Sequence, residues 1–423
     1  MAYDVQPGTG GRKVGVAIVG LGGAVATTLA AGLDLLGKGA VGREGLPLGE
    51  YPDGAFGLAG YDAIEVAGWD LDPRDLAAAA RHHGVVSDSL LKVAETALSD
   101  MRPWAARGDR DYCRNIEGGN LVDANSKRAT IQRLKDDLRR FREERGLDGL
   151  VVLNLASTER KVDEDHEDYA TIDAFEDALD RDADTIGPAM LYAYAAISEG
   201  MPYGNFTPSV GAEIPALIAL AEQTGAPLAG RDGKTGQTLM KTILAPAMRA
   251  RALKVEGWYS TNILGNGDGK ALDDPASLGS KLSTKGDVLD QMLGYRVKDH
   301  IVQISYYPPR GDDKEAWDNI DVSGFLGERM QVKLNFLCKD SILAAPLAIE
   351  IVRCLDLAKR RHEAGPIDAL ATFFKAPLVS EGEAVHAFGE QHATFLSWLA
   401  EGPVPSPAAT SDEVVKALAT AAE

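Results

Sequence analysis

The chain has 423 residues, 45% of them hydrophobic and 25% charged, which exceeds the roughly 250–300 residues at which a single core stops growing, so two domains are expected. Lys and Arg number 44 against 63 Asp and Glu, a formal charge of −19; this argues against nucleic acid or an anionic membrane as partner and means that an anionic ligand needs its own cluster of cations. Cys113, Cys338 and Cys354 fit neither a disulfide framework nor a thiolate zinc site, and the seven histidines show no ligand spacing, so no metal is expected. The N-terminus carries no long apolar signal region and no run of about 18 apolar residues occurs, so a cytoplasmic protein without a membrane span is expected.

VGVAIVG (14–20) is a continuous β-branched run of the kind buried on both faces in a parallel sheet. Glycines follow, and AVATTLAAGLDLL reads as a helix. Residues 37–61 are rich in glycine and turn formers, which predicts a surface excursion before a second strand, IEVAGWD (64–70). DPRDLAAAARHHG predicts a helix capped by Asp72, with Pro73 in its first turn. ATIQRLKDDLRRFREERG places Ile131, Leu134, Leu138 and Phe141 on one face and charges on the other, an amphipathic helix covering a sheet. GLVVLNLAS (149–157) is the next buried strand, followed by a helix from about 185 to 199, a helical IPALIALAEQTG and a short strand PLAG (227–230). Such alternation predicts an α/β protein with a Rossmann-like, doubly wound parallel sheet, assigned to residues 1–238. From residue 239 the texture changes. HIVQISYY (300–307) and MQVKLNFLC (330–338) alternate between turn-rich loops, which predicts an inserted α+β domain over 239–343. The helical SILAAPLAIEIVRCLDLAKRR then returns the chain to its first domain over 344–423.

Gly20, Gly22 and Gly23, with Ala24, Val25 and Ala26 after them, follow a strand and open a helix. This is the context in which a glycine loop lets a pyrophosphate approach the backbone and lie on a helix N-terminus. The usual acidic partner ends the second strand: Asp70 has that position, Asp72 is its rival, and an acid there selects NAD over NADP. LNLASTER, with Ala156, Ser157 and Thr158, ends a strand in small and hydroxylic residues that let a cofactor pass close. LAGRDGKTGQT resembles a nucleotide phosphate loop but has Leu228 where that motif needs its first glycine. It still offers Asp232, Lys234 and Thr235 among flexible glycines. Further on come Asn262, Asn266 and Asp268, then Lys281 and Lys285 spaced i and i+4, then Asp340. Two adjacent lysines would depress each other's pKa and suit proton exchange or oxyanion stabilisation.

Taken in order, GLGGAVATT, GWD, LNLASTER, NFTPS, GRDGKTGQT, STNILGNGDG, SKLSTKG, GDDK, CKDSILAAP and FKAPL resemble the myo-inositol-1-phosphate synthase family over residues 14–378. The resemblance implies an isomerase of inositol and phospholipid biosynthesis that cyclises glucose 6-phosphate with tightly held NAD and no net redox change. It also implies a homotetramer, with the second domain's sheet in the interface. By resemblance Lys281 transfers the C5 proton, Lys285 stabilises a phosphate or oxyanion, and Lys375 polarises the C1 carbonyl. Asp232, Asn262, Asp268 and Asp340 match positions that orient substrate or lysines. Thr235 and Asp268 join the cofactor set, and Lys234, Asn266 and Lys314 the substrate set. Ser305 stands where the family commonly has a lysine, with Arg310 or Lys314 as substitutes; Ala24 and Val25 stand where asparagines are frequent. A sister cyclase closing a five-membered ring from fructose 6-phosphate, a net dehydrogenase and a silent NAD-binding regulator are the competing readings.

Overall fold

In this computed structural model residues 12–52, 54–273 and 288–401 are described. The first strand, β1 (Val14–Val19), is buried along its whole length and leads into α1 (Ala24–Gly37). β2 (Ile64–Asp70), α2 (Leu76–His83), α3 (Asp88–Asp100), the short β3 (Trp104–Ala105), α4 (Lys127–Arg145) and β4 (Gly149–Asn154) follow. Next come α5 (Ile172–Asp180), α6 (Pro188–Ile197), β5 (Tyr203–Asn205), α7 (Pro215–Thr224) and β6 (Pro227–Ala229). The chain then runs through α8 (Gly236–Ala250), β7 (Lys254–Leu264), α9 (Gly267–Leu272), α10 (Val288–Leu293), β8 (Asp299–Tyr306), β9 (Asp313–Ser323) and β10 (Arg329–Lys339). It ends with α11 (Asp340–Arg360), β11 (Gly365–Pro366) and α12 (Phe388–Ala400).

Seven strands form one parallel sheet in the order β11-β6-β5-β4-β1-β2-β3. Its order turns back between β1 and β4, and at such a switch point open α/β sheets bind ligands outside the strand ends. One core cluster packs α1, α3 and α11 on one face, and a second packs α4, α6 and α7 on the other. The four-stranded sheet runs β10-β9-β7-β8, antiparallel except for β7 with β8. It carries its own cluster around Trp258, Ile320 and Met248. β11 pairs with β6, so the chain rejoins the large sheet after leaving the small one.

Three local expectations are corrected. Asp75, not Asp72, caps α2, accepting from the Ala78 amide at 2.8 Å, so Pro73 lies outside the helix. The helix expected from about 185 starts at Pro188, because Gly187 is its extended N-cap and proline suits the first turn. The described residues of 37–61 include no strand, yet Leu48, Leu58, Ala59 and Tyr61 are buried in the core. Tyr61 donates to the buried Glu350 of α11 at 2.7 Å, so glycine-rich spacing here conceals an internal anchor. β7 and β9 carry no strand signal in the sequence, because Ser260, Asn262 and Asp318 are buried and break the apolar alternation.

Candidate active site

The first half of the site is built at the ends of β1, β2 and β4. Gly20 has a φ of +87°, and a Cβ there would lie 3.0 Å from the Ala156 backbone, so only glycine fits. The Gly20 and Leu21 amides both donate to the Trp69 carbonyl, at 2.9 and 3.0 Å. The Gly22 amide donates to Asp70 Oδ2 at 2.7 Å, and the Gly22 carbonyl lies 2.8 Å from His83 Nε2. Gly23 is the N-cap of α1 and makes no side-chain capping bond, so no side chain competes with an anion for the first-turn amides that include Ala24 and Val25. Asp70 also accepts from the Asp72 amide at 2.9 Å. Burial pushes its carboxyl above the usual range, against the pull of these two amides. Asp72 pairs instead with Arg74, at 2.7 Å.

Across the switch point the Ala156 amide donates to Asn154 Oδ1 at 3.0 Å. Ser157 is half-buried and caps no helix, while Thr158 is buried and its carbonyl accepts from Cys113 Sγ at 3.5 Å. Next to them Glu159 accepts from the Ala189 amide at the start of α6, at 3.0 Å, and burial pushes its carboxyl up to about 8. A glycine loop in which a Cβ would lie only 3.0–3.1 Å from its neighbours, an acid at the end of β2 and an open helix N-terminus fit a dinucleotide.

The second half lies past β6. Asp232, at a φ of +60°, donates its amide to the Thr207 carbonyl after β5 at 3.2 Å. Its Oδ1 accepts from Lys375 Nζ at 2.6 Å, and both side chains are buried. Lys314 Nζ meets Asp340 Oδ1 at 3.3 Å, and Thr235 Oγ1 donates to the same oxygen at 3.1 Å. These groups frame a narrow pocket lined by Thr235, Gln237, Thr238, Asn262, Leu264, Ile304, Lys314 and Lys375. Two ammonium groups therefore reach one cavity, each held by a carboxylate, which can polarise a carbonyl or stabilise a developing oxyanion. A wider groove of about 720 Å³ lies between α12 and residues 363–369, but three carboxylates and no lysine line it.

Other expected residues go elsewhere. Lys234 does not line the pocket: its Nζ bonds Gln391 Oε1 of α12 and sits 5.6 Å from the Phe388 ring centroid. Burial pushes it down to about 7. Asn266 caps α9, accepting from the Gly269 amide at 3.1 Å, and donates to Asp312 at 3.2 Å. Ser305 pairs with Ile263 on the exposed face of the small sheet, whereas its neighbour Ile304 lines the pocket, because successive strand residues face opposite ways. Lys281, Lys285 and the Asp268 side chain lie outside the described residues. Sequence reasoning missed Gln237, Thr238, Leu264 and Ile304, as well as His83. Gln237 was readable, one turn past Lys234 at the start of a helix; His83 had no local signal.

The doubly wound sheet, the glycine cradle and the lysine-lined pocket define an NAD-binding enzyme. The chain belongs to the myo-inositol-1-phosphate synthase family, whose NAD-binding family model matches residues 55–399. It is 36% identical to inositol-3-phosphate synthase 1 of Bacteroides thetaiotaomicron over 94% of this chain and 95% of that one. It is 34% identical to the Trypanosoma brucei brucei inositol-3-phosphate synthase over 76% of this chain and 67% of that one. The solved inositol-3-phosphate synthase of Caenorhabditis elegans superimposes with a TM-score of 0.85 at 26% identity, covering 97% of this chain and 89% of the other. Among the described residues no helix is long and apolar enough to cross a membrane.

Proposed function

We infer that the protein is an isomerase that cyclises glucose 6-phosphate to myo-inositol 1-phosphate with NAD and no net redox change. The observation that carries this reading is the convergence of Lys375–Asp232 and Lys314–Asp340 on one pocket past the carboxyl ends of β5 and β6. In the reaction the C5 hydroxyl and then C6 give up protons, C6 bonds the C1 aldehyde carbon, and the new alkoxide takes a proton. Each developing anion needs a fixed cation. Lys375, oriented by Asp232, polarises the C1 carbonyl, and Lys314 is held for an oxyanion by Asp340 and Thr235. Lys281 and Lys285, on the family resemblance, carry the C5 proton and meet the phosphate. Gly20, Gly22, Gly23, Ala24, Val25, Asp70 and 156–158 would hold NAD, which when bound supplies a hydride acceptor at C5 and gives the hydride back.

The reading extends to a cytoplasmic homotetramer whose product serves inositol lipid synthesis, with residues 239–343 as the inserted catalytic and assembly domain. Supporting the assembly, β10 is a sheet edge with Met330 48% and Leu337 59% exposed, and Phe325 and Leu326 stand 89% and 81% exposed at the β9–β10 turn. Such edges and apolar tips are normally covered. Light scattering after gel filtration reads the subunit count. The test of function is incubation with NAD and glucose 6-phosphate, with the product identified by mass and NMR. A cyclitol phosphate with no lasting NADH absorbance is expected; absence of a cyclitol, or steady NADH accumulation, refutes the reading.

A further inference from the structure

Beneath the pocket, Asp318 of β9 is fully buried and three side-chain donors converge on it. Trp258 Nε1 and Ser260 Oγ of β7 donate to Oδ1 at 2.7 and 2.6 Å, and Gln237 Nε2 of α8 donates to Oδ2 at 3.2 Å. The Thr261 carbonyl, 3.5 Å away, favours the same orientation of the Gln237 amide. With its nitrogen end committed, Gln237 presents Oε1 to Asn262, whose Nδ2 donates to it at 2.5 Å. An amide has one donor end and one acceptor end. Asn262 therefore has Oδ1, an acceptor, left for a ligand in the pocket that both amides line.

We propose that Asp318 is a positioning residue that fixes the polarity of the Gln237–Asn262 amide chain, so that the pocket offers a hydrogen-bond acceptor to one sugar hydroxyl. The proposal rests on the hexose-phosphate reading of the site and adds to it the sense of one specificity contact. Asp318→Asn keeps shape and volume but places an NH2 group opposite Gln237. The relay then reverses, and Asn262 turns its NH2 to the pocket. A hydroxyl tolerates either partner because it donates and accepts, whereas a C–F group in its place only accepts.

The test measures competitive inhibition by a panel of monodeoxy and monodeoxyfluoro glucose 6-phosphates against the NAD-loaded wild type, Asp318→Asn and Gln237→Met. In the wild type one ring position should show a loss of about tenfold for both the deoxy and the fluoro analogue. In Asp318→Asn the fluoro penalty at that position alone should shrink several-fold while NAD affinity is unchanged. Gln237→Met, which keeps Asp318 bound to Trp258 and Ser260, should blunt the same discrimination. A uniform loss across all analogues, or an unchanged fluoro penalty in both variants, overturns the assignment and leaves the cyclase reading intact. A wild type that binds no hexose phosphate removes both.

Discussion

His83, the last residue of α2, brings Nε2 to 2.8 Å from the carbonyl of Gly22, and the amide of that same glycine is held by Asp70 at 2.7 Å. The glycine loop is thus gripped on both sides of one residue, by side chains that end a strand and a helix. A carbonyl only accepts, so His83 donates from Nε2. Burial pushes the imidazole below its ordinary range, and the Gly22 bond only partly opposes it, which favours the neutral ring.

Replacing His83 with Ala frees the Gly22 carbonyl and loosens the cradle. The expected result is a five- to tenfold weaker NAD Kd, the effect of about 1 kcal/mol for one neutral hydrogen bond. Titration calorimetry with NAD measures it without reference to turnover. Gln, which can reach with an amide donor, should restore part of the affinity. An unaltered Kd in His83→Ala would show that Asp70 alone sets the loop.

The Lys375–Asp232 pair separates stability from chemistry. Both side chains are buried, 7% and 4% exposed, so Lys375→Ala removes the ammonium 2.6 Å from a buried carboxylate and should destabilise the fold by about 3 kcal/mol. The double variant Asp232→Asn with Lys375→Met removes both charges, and Asn tolerates the positive φ at that position. It should recover much of the stability in urea unfolding while forming no cyclitol. Equal stability of the single and double variants would contradict an ion pair at this place.

The large sheet was legible because its strands are apolar on both faces: the expected runs at 14–20, 64–70 and 149–157 appear as β1, β2 and β4 at nearly those limits. Family motifs named Thr235, Asn262, Lys314 and Lys375, which line the pocket, and Asp232 and Asp340, which hold the two lysines, but not the rest of its walls. Ile304 reads as an ordinary strand residue and Leu264 falls in a strand the sequence does not announce, until the register of β7 and β8 turns both toward the pocket. Lys234 misled for a related reason: a lysine among glycines resembles a phosphate ligand, and only packing against α12 shows where it points.

A Cβ at Gly22 would lie 3.1 Å from Asp70 Cγ, at the same place where the amide bonds the carboxylate. Gly22→Ala should therefore push Asp70 off the loop and weaken NAD, and combining it with His83→Ala should cost less than the sum, because both act on one residue. Additive losses in the calorimetric Kd values would mean that the two contacts are independent.

Burial holds Lys234 at about 7, against roughly 10.4 for an unfolded lysine. Between those values the unfolded chain binds the extra proton, so folding becomes more favourable as pH rises through the window. Below pH 7 both states are charged and the buried ammonium is carried at full cost. Lys234→Met removes the titration, so the stability of wild type relative to this variant should climb by about 1.4 kcal/mol per pH unit from pH 7.5 to 9. Urea midpoints of the two proteins at matched pH provide the comparison. His386, which burial and then Lys234 push down to about 4, adds nothing in that range. Parallel curves for the two proteins would place the Lys234 ammonium in solvent rather than between Gln391 and Phe388.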